Sequence, residues 1–233
     1  MIEKVKDIIR QWRKSNNKVL RGVDKVLEGA RIFYKSMVML PRLVQFRKYR
    51  MNPIMAALFD TNPYNCFYGW ISYDDQTWGG NREIFGQLVD KLRPELVIEV
   101  GSWKGGSAIS LGKRIKELRL NSHIVCVDTW LGSFEHWNKK DSAEQRSWYT
   151  SLKLKHGYPQ LYYQFLANVI YNRLQDVIIP FPCTSTSAAK WLTWKNITAQ
   201  MIYIDASHEE EEVYLDLVNY FVLLQKGGVI FGD

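Results

Sequence analysis

Five short apolar runs between residues 96 and 232 constrain the fold of the chain more than any other feature. They are predicted strands, and they alternate with stretches in which apolar residues recur at helical spacing. Strands that are apolar throughout and alternate with helices form a parallel sheet covered on both faces. The sequence therefore predicts an α/β domain with strands at 96–100, 124–128, 177–181, 201–205 and 228–232 and helices at 82–92, 107–118, 161–174, 187–192 and 209–224.

Charge divides the 233 residues into unlike parts. Residues 1–50 hold 14 of the 31 basic residues and 4 of the 24 acidic ones, so the rest of the chain is slightly acidic. We predict a basic amphipathic helical extension over 1–51, an aromatic loop region over 52–81, and the α/β domain over 82–233. A basic arm favours an acidic partner, and we prefer an anionic membrane surface to nucleic acid. A helical lid or a dimer contact stays open as an alternative for the arm.

The cysteines and the apolar runs bear on the compartment. Three cysteines at irregular spacing, Cys66, Cys126 and Cys183, do not indicate a disulfide framework or a zinc site. The first residues carry no apolar signal stretch, and no run reaches the roughly 18 apolar residues that span a bilayer. These features predict a cytoplasmic protein that contacts the membrane, if at all, peripherally through residues 1–50.

A glycine-rich turn follows the first predicted strand and opens a helix, from Glu99 to Ser107. Ligands of open parallel sheets bind at the carboxyl ends of the strands, and a helix N-terminus there offers free N–H groups. The dinucleotide pattern of glycines fails because Trp103 stands two residues after Gly101. A phosphate-binding loop is excluded as well, since the turn ends in Gly-Gly-Ser instead of Gly-Lys-Ser.

Polar residues also end the second and third predicted strands. Asp128, followed by Thr129 and Trp130, stands where an acidic side chain accepts hydrogen bonds from ribose hydroxyls in nucleotide-binding folds. Thr184 and Ser185 stand where an adenine edge would lie. Structural roles remain open for these residues, because Asp caps turns and Ser and Thr cap helices.

Taken together, the segments 98–107, 128–130, 204–208 and 227–233 resemble class I methyltransferases, which use S-adenosylmethionine (SAM). The branch is similar to macrolide-sugar O-methyltransferases and cephalosporin hydroxylase-like proteins, and the resemblance covers about residues 68–233. It implies a Rossmann-like fold and a SAM site. The residues that it places at that site are Glu99, Gly101, Ser102, Trp103, Gly105, Ser107, Asp128, Thr129, Trp130, Thr184 and Ser185.

The same resemblance implies catalytic residues and a metal. Asp205 would bind Mg²⁺, His208 would act as the base, and Asp233 would belong to the acidic pair that completes the metal site. A metal-bound hydroxyl loses its proton more easily, and histidine can accept that proton near neutral pH. A structural role remains open for His208, which stands directly before the four glutamates Glu209 to Glu212.

The predicted activity is therefore metal-assisted O-methylation of a small molecule, a sugar or a glycan, by a protein that could form oligomers. Two alternatives stay open. One is a hydroxylase-type reaction on the same cofactor fold, and the other is a non-catalytic SAM-binding domain tethered to membrane or nucleic acid. The chain ends directly after the fifth predicted strand, so we expect it to be a fragment whose complete sheet has further strands.

Overall fold

The computed structural model describes residues 49–65, 71–74, 83–138 and 143–232, without the side chains of 143–146. All of them belong to the unit that runs from Arg47 to Asp233. Most of the predicted basic extension, part of the aromatic loop region, and the predicted metal ligand Asp233 lie outside the described residues. No described helix is long and apolar enough to cross a membrane.

Five parallel strands form one sheet in the order β3-β2-β1-β4-β5. The chain adds β2 and β3 on one side of β1 and then returns to add β4 and β5 on the other. The direction in which the chain adds strands to the sheet reverses between β1 and β4. This reversal leaves a crevice at the carboxyl ends of these two strands. The strands are β1 (Leu96–Val100), β2 (His123–Asp128), β3 (Ile178–Pro182), β4 (Ala199–Ile204) and β5 (Leu224–Gly232).

Helices pack on both faces of this sheet, as the sequence predicts. Because parallel crossovers are right-handed, the helices before and after the reversal of direction lie on opposite faces. The helices of the described residues are α1 (Pro53–Leu58), α2 (Glu83–Leu92), α3 (Gly106–Glu117), α4 (Ala143–Ser151), α5 (Leu161–Tyr171), α6 (Ser185–Trp194) and α7 (Glu210–Phe221), with a 3₁₀ helix at Phe134–Trp137.

The core explains why these segments take these forms. All five residues of β1 are buried, as expected for a central strand with helices on both faces. Helix α3 buries Ala108, Leu111 and Ile115 at helical spacing and keeps its charged residues outside. The α/β fold class and the Rossmann-like parallel sheet predicted from the sequence are thus confirmed.

Helix α1 differs from the prediction. Residues 53–58 form α1 inside a segment that the sequence predicts to be loop. The reason is local: the Asn52 side chain accepts a hydrogen bond from the N–H of Met55, at 2.8 Å, and Pro53 occupies the first helical position. Met55 buries its side chain and anchors this short helix to the core.

Candidate functional site

A cavity of about 710 Å³ opens at the carboxyl ends of β1, β2 and β4, next to the point where strand order reverses. The segments that surround it come from distant parts of the sequence. They are the glycine-rich turn after β1, the segment after β2, the start of α6, the loop after β4, and one face of α7. Predicted site residues that line the cavity are Gly101, Ser102, Trp103, Ser107, Asp128, Thr129, Thr184, Ser185, Asp205 and His208.

Gly101 brings two strand ends together beneath the cavity. Its φ of +85° lies in the left-handed region, and its N–H donates to the carbonyl of Val127 at 2.8 Å. A Cβ atom on Gly101 would collide with the backbone of Asp205 and Ala206. Glycine is therefore required here for both conformation and space. The loop after β4 can approach the turn only because this side chain is missing.

Glu99 lies below the turn and is fully buried, outside the cavity lining. Its carboxylate accepts hydrogen bonds from the hydroxyls of Ser102, at 2.6 Å, and of Ser107, and a weaker one from Cys126 at 3.4 Å. Burial raises the pKa of Glu99 to about 7, although these hydrogen bonds act in the opposite direction. Its position suits a residue that orients the two serines.

Asp128 ties the glycine-rich turn to the end of β2. One carboxylate oxygen accepts the N–H groups of Ser102 and Trp103, at 2.9 and 2.8 Å, and the other accepts that of Trp130 at 2.6 Å. Burial raises the pKa of Asp128, and these backbone hydrogen bonds oppose the shift. A carboxylate accepts about four hydrogen bonds. The backbone of Thr129 also lowers the pKa of Asp128 by hydrogen bonding, so the side chain above all supports the turn.

Two more predicted residues support the site from behind the cavity wall. Gly105 has a φ of +87° at the start of α3, and a Cβ there would lie 3.0 Å from the ring of Phe165. Trp130 is buried, and its indole N–H donates to the carbonyl of Trp103 at 2.7 Å. Thr129, between Asp128 and Trp130, is exposed at the cavity.

The end of β3 carries the residues predicted to meet an adenine. Thr184 caps α6, because its hydroxyl accepts the N–H of Ser187 at 3.3 Å, so the structural alternative is present for this residue. Ser185 follows, and its carbonyl accepts the hydroxyl of Tyr220 at 2.9 Å. Both residues still line the cavity.

Asp205 and His208 lie on the loop after β4. The N–H of Asp205 donates to Val100 at 2.8 Å, which extends the pairing of β1 and β4, and Tyr203 donates its hydroxyl to the Asp205 carboxylate at 2.9 Å. His208 is exposed and lines the same cavity. The structure thus brings the two predicted catalytic residues to one cavity with the glycine-rich turn.

The described residues do not by themselves form a metal site. Among them, no group of three or more His, Cys, Asp or Glu side chains is placed to hold an ion. A hard cation takes several oxygen ligands, and Asp205 supplies only one carboxylate. Asp233, the second predicted ligand, is outside the described residues.

Sequence reasoning missed several residues that line the cavity. His136 and Trp148 come from the segment after β2, and the His136 ring lies 4.4 Å from that of Trp103, between centroids. Burial lowers the pKa of His136, which favours its neutral form. Asp216 approaches from α7. The Ser-x-x-His spacing of Ser133 and His136, which forms a capping box, is the one local signal that could have indicated this segment's structure.

A family of methyltransferase domains matches residues 98–233 of this chain. That match covers more than half of the 233 residues and includes every element of the cavity described above. The chain belongs to this family. The family-level prediction from the sequence is confirmed, and the match specifies no substrate.

Solved structures similar to this methyltransferase domain include three O-methyltransferases. A candidate caffeoyl-CoA O-methyltransferase from Staphylococcus aureus is 12% identical, with a TM-score of 0.41, and the match covers 65% of this chain and 55% of that one. An O-methyltransferase from Bacillus cereus in complex with SAH is 16% identical, with a TM-score of 0.41 and coverages of 79% and 67%. The O-methyltransferase TomG from Streptomyces achromogenes, involved in tomaymycin synthesis and in complex with SAM, is 11% identical, with a TM-score of 0.46 and coverages of 79% and 66%.

This chain therefore spans between about half and two thirds of the length of these solved structures. At such identities and TM-scores they do not identify its substrate. A comparison with curated proteins gave no match.

Proposed function

We propose that this methyltransferase domain transfers the methyl group of SAM to a hydroxyl oxygen. The observation that carries the proposal is the cavity at the switch point of the sheet. It gathers the glycine-rich turn, the acidic residue after β2, and Asp205 with His208 after β4. Ligands of open parallel sheets bind at this position.

The polar groups of the cavity fit the parts of SAM. Asp128 lines the cavity where a ribose would lie, and Thr184 and Ser185 lie beyond it, after the neighbouring strand, where the adenine would follow. Ser102, Ser107 and the N-terminus of α3 line the space left for the methionine part. Glu99, Gly105 and Trp130 contribute to the cofactor site by holding this turn in place.

Bound SAM would supply a methyl group on a positively charged sulfur, a group that an acceptor oxygen could take with release of a neutral thioether. His208 accepts the proton of that hydroxyl, because its exposed imidazole at the cavity is available as a base. Asp205 lies three residues earlier on the same loop, and its carboxylate accepts a hydrogen bond from the acceptor hydroxyl and so holds it in place. The walls align the reacting atoms, which accounts for a large part of the rate in transfers of this kind.

A divalent metal remains part of the proposal only as a prediction. Asp205 would contribute one ligand, and Asp233 would have to supply the second. The described residues do not complete the coordination of an ion. Mg²⁺ dependence of the reaction is the observation that would support it.

The acceptor class that we propose is a small molecule with a free hydroxyl, such as a sugar or a glycan. Residues 1–50, with their excess of basic side chains, are proposed to contact anionic lipid from the cytoplasm. Formation of an oligomer is also compatible with the proposal. Detection of a hydroxylated product instead of a methylated one would favour the hydroxylase-type alternative.

The experiment is calorimetric titration of SAM into the full chain, with and without Mg²⁺, for wild type, Asp128→Ala and Asp60→Ala. Asp60 is exposed and does not line the cavity, so its variant is the matched control. We expect micromolar binding that Asp128→Ala weakens about tenfold or more, because the turn loses charge-assisted hydrogen bonds worth roughly 1.5–3 kcal/mol each. Absence of SAM binding to the wild type would refute the proposed function.

A further inference from the structure

Three apolar side chains are exposed beside the cavity, on the segment that follows β2. Phe134 is 74% exposed, Trp137 is 44% exposed and Leu131 is 38% exposed. They do not line the cavity themselves, although their neighbours Ser133 and His136 do. Single exposed apolar residues are ordinary on protein surfaces, but a contiguous group at the edge of a binding site indicates an interaction surface. We call Leu131, Phe134 and Trp137 the apolar row.

The local helix explains why the apolar row points away from the cavity. Residues three apart in a 3₁₀ helix lie on the same side. Phe134 and Trp137 therefore share the outer side, while Ser133 and His136 share the side of the cavity. The indole N–H of Trp137 donates to the carbonyl of Leu131 at 3.1 Å, which brings the two ends of the row together.

The backbone beneath the apolar row is held in place. The N–H of Ser133 donates to Nδ1 of His136 at 3.3 Å, as part of a capping box. Gly132 has a φ of +79°, and a Cβ there would lie 2.7 Å from the side chain of Leu152. Exposed side chains on a fixed backbone lose less conformational entropy on binding than those of a mobile loop. The row is therefore a preorganised surface.

A short turn near the apolar row adds a basic and an aromatic side chain. Lys155 and Tyr158 exchange two backbone hydrogen bonds, at 2.9 and 3.0 Å, and both residues are exposed. The turn begins three residues after Leu152, which contacts Gly132 at the base of the row. Leucine, aromatic and lysine side chains together are typical of surfaces that enter the headgroup region of a bilayer. The net charge of the chain, +7, also favours an anionic surface.

The size of the apolar row favours a lipid surface over a protein partner. A stable protein–protein interface buries roughly 1,200–2,000 Å² and involves about 20–30 residues on each side. Three apolar side chains fall far short of that. Membrane affinity instead increases with the apolar area inserted and with basic charge, so a small patch contributes to it without a complementary partner surface.

We propose that the apolar row inserts into the headgroup region of an anionic bilayer and turns the cavity toward the membrane surface. The row lies outside residues 1–50, the segment proposed above to contact lipid, and so forms a second contact. Its consequence for the reaction rests on the proposed function: the acceptor hydroxyl belongs to a molecule held at the membrane surface.

The test is co-sedimentation of the full chain with vesicles that contain phosphatidylcholine and phosphatidylserine in equal amounts. The proteins compared are the wild type, Phe134→Ser and Trp194→Ser. Trp194 is the matched control, because it is 71% exposed at the end of α6, just before β4 begins, and so lies at the opposite edge of the sheet. Residues 1–50 are present in every protein, so a difference between them reports on the substituted side chain.

We expect Phe134→Ser to weaken vesicle binding about fivefold or more, because the variant has no phenyl group to insert. Trp194→Ser should bind as the wild type does. Three results would overturn the inference: a wild type that does not bind the vesicles, a Phe134→Ser variant that binds as well as the wild type, or an equal loss in both variants. Phe134 is exposed, so its substitution removes no core contact.

Quenching of tryptophan fluorescence by brominated phosphatidylcholine tests the orientation independently. Trp137→Phe and Trp194→Phe each keep an aromatic ring and remove one indole. We expect the quenching on vesicle binding to decrease in Trp137→Phe and to stay unchanged in Trp194→Phe. The reverse pattern would mean that the membrane contacts the opposite edge of the sheet, and the inference would be wrong.

Further outcomes separate this inference from the proposed function. Vesicle binding needs no cofactor, so a chain that binds vesicles as expected but does not bind SAM would refute the proposed function and leave the membrane contact standing. A chain that binds SAM but not vesicles would overturn the inference alone. If sedimentation without vesicles showed a dimeric wild type and a monomeric Phe134→Ser, the row would join two copies of the chain, which also overturns the membrane contact.

Discussion

At the scale of single residues, Gly101 sets how closely the turn after β1 approaches the loop after β4. An alanine there would place its Cβ against the backbone of Asp205 and would have to adopt a φ of +85°. We expect Gly101→Ala to lower the free energy of unfolding by about 3 kcal/mol and to weaken SAM binding. Urea unfolding and calorimetry measure the two effects.

Gly86→Ala is the matched control for that substitution. Gly86 lies within α2, and a Cβ there would meet no atom within 4 Å. Because alanine has a higher helix propensity than glycine, this variant should gain about 0.5–1 kcal/mol of stability. If both alanine variants changed stability equally, the close approach at Gly101 would not be a constraint.

The sequence was informative about residues whose function is encoded locally. The turn from Gly101 to Ser107 and the acid Asp128 stand at the predicted ends of their strands, and the structure brings them to one cavity. The sequence did not show that Asp128 would accept three backbone N–H groups. That role depends on the register between β1 and β2, which a linear pattern does not specify.

At the scale of elements, a buried ion pair joins the glycine-rich turn to the segment 71–74. The Lys104 ammonium group, with its side chain 1% exposed, lies 3.0 Å from the Asp74 carboxylate, which Lys153 also contacts at 2.9 Å. The Asn168 side chain accepts the N–H of Asp74, at 3.1 Å, and donates to the carbonyls of Asp74 and Lys104, both at 2.8 Å. This network fastens three separate parts of the chain to each other.

We expect Lys104→Met to destabilise the protein by about 1.5–3 kcal/mol, because the Asp74 carboxylate loses a charge-assisted hydrogen bond and keeps only Lys153 as a cationic partner. The exposed Lys153 provides the control, since Lys153→Met should cost less than about 1 kcal/mol. Urea unfolding measures both. Hydrogen exchange at the Asp74 amide should rise in Lys104→Met, and equal effects of the two variants would contradict a special role for the buried lysine.

Helices and strands were predicted well where the spacing of apolar residues is regular. They were predicted less well where contacts with other parts of the chain determine the local structure. The five strands and α2, α3, α5 and α7 fall within a few residues of their predicted limits, although β5 begins earlier, at Leu224. The start of β5 is polar and partly exposed at the sheet edge, so its pairing with β4 and not its composition makes it a strand. Helix α4 and the 3₁₀ helix lack a strong apolar repeat and were not predicted.

At the scale of the whole molecule, the cavity depends on contacts that no sequence window contains. Asp216 of α7 and Trp148 of α4 reach the same space as Asp128 because the sheet reverses its order between β1 and β4. A pattern of alternating strands and helices predicts that such a crevice exists. It does not predict which helix faces will line it, since that depends on the packing of α6 against α7.

The pH dependence of overall stability follows from Glu99, which lies in the central strand of the sheet. Its pKa is about 7 in the folded protein and 4.5 as an isolated group, so between these values the folded state binds the extra proton. The contribution of Glu99 to the free energy of unfolding is therefore fully present below pH 4.5 and is lost as the pH rises toward 7. The loss amounts to about 3 kcal/mol, at about 1.4 kcal/mol for each pKa unit.

We expect this loss to disappear in Glu99→Gln, which carries no titrating group in the core. Urea unfolding at pH 5 and pH 8 should show that the wild type loses about 2–3 kcal/mol more than the variant does between the two values. The exposed Glu117 at the end of α3 supplies the control, and Glu117→Gln should follow the wild type. The opposite result would be a wild type that gains stability relative to Glu99→Gln between pH 5 and pH 8. It would mean that the three hydrogen-bond donors stabilise the charged carboxylate more than burial destabilises it. Glu99 would then be a permanently charged residue that holds the turn in place.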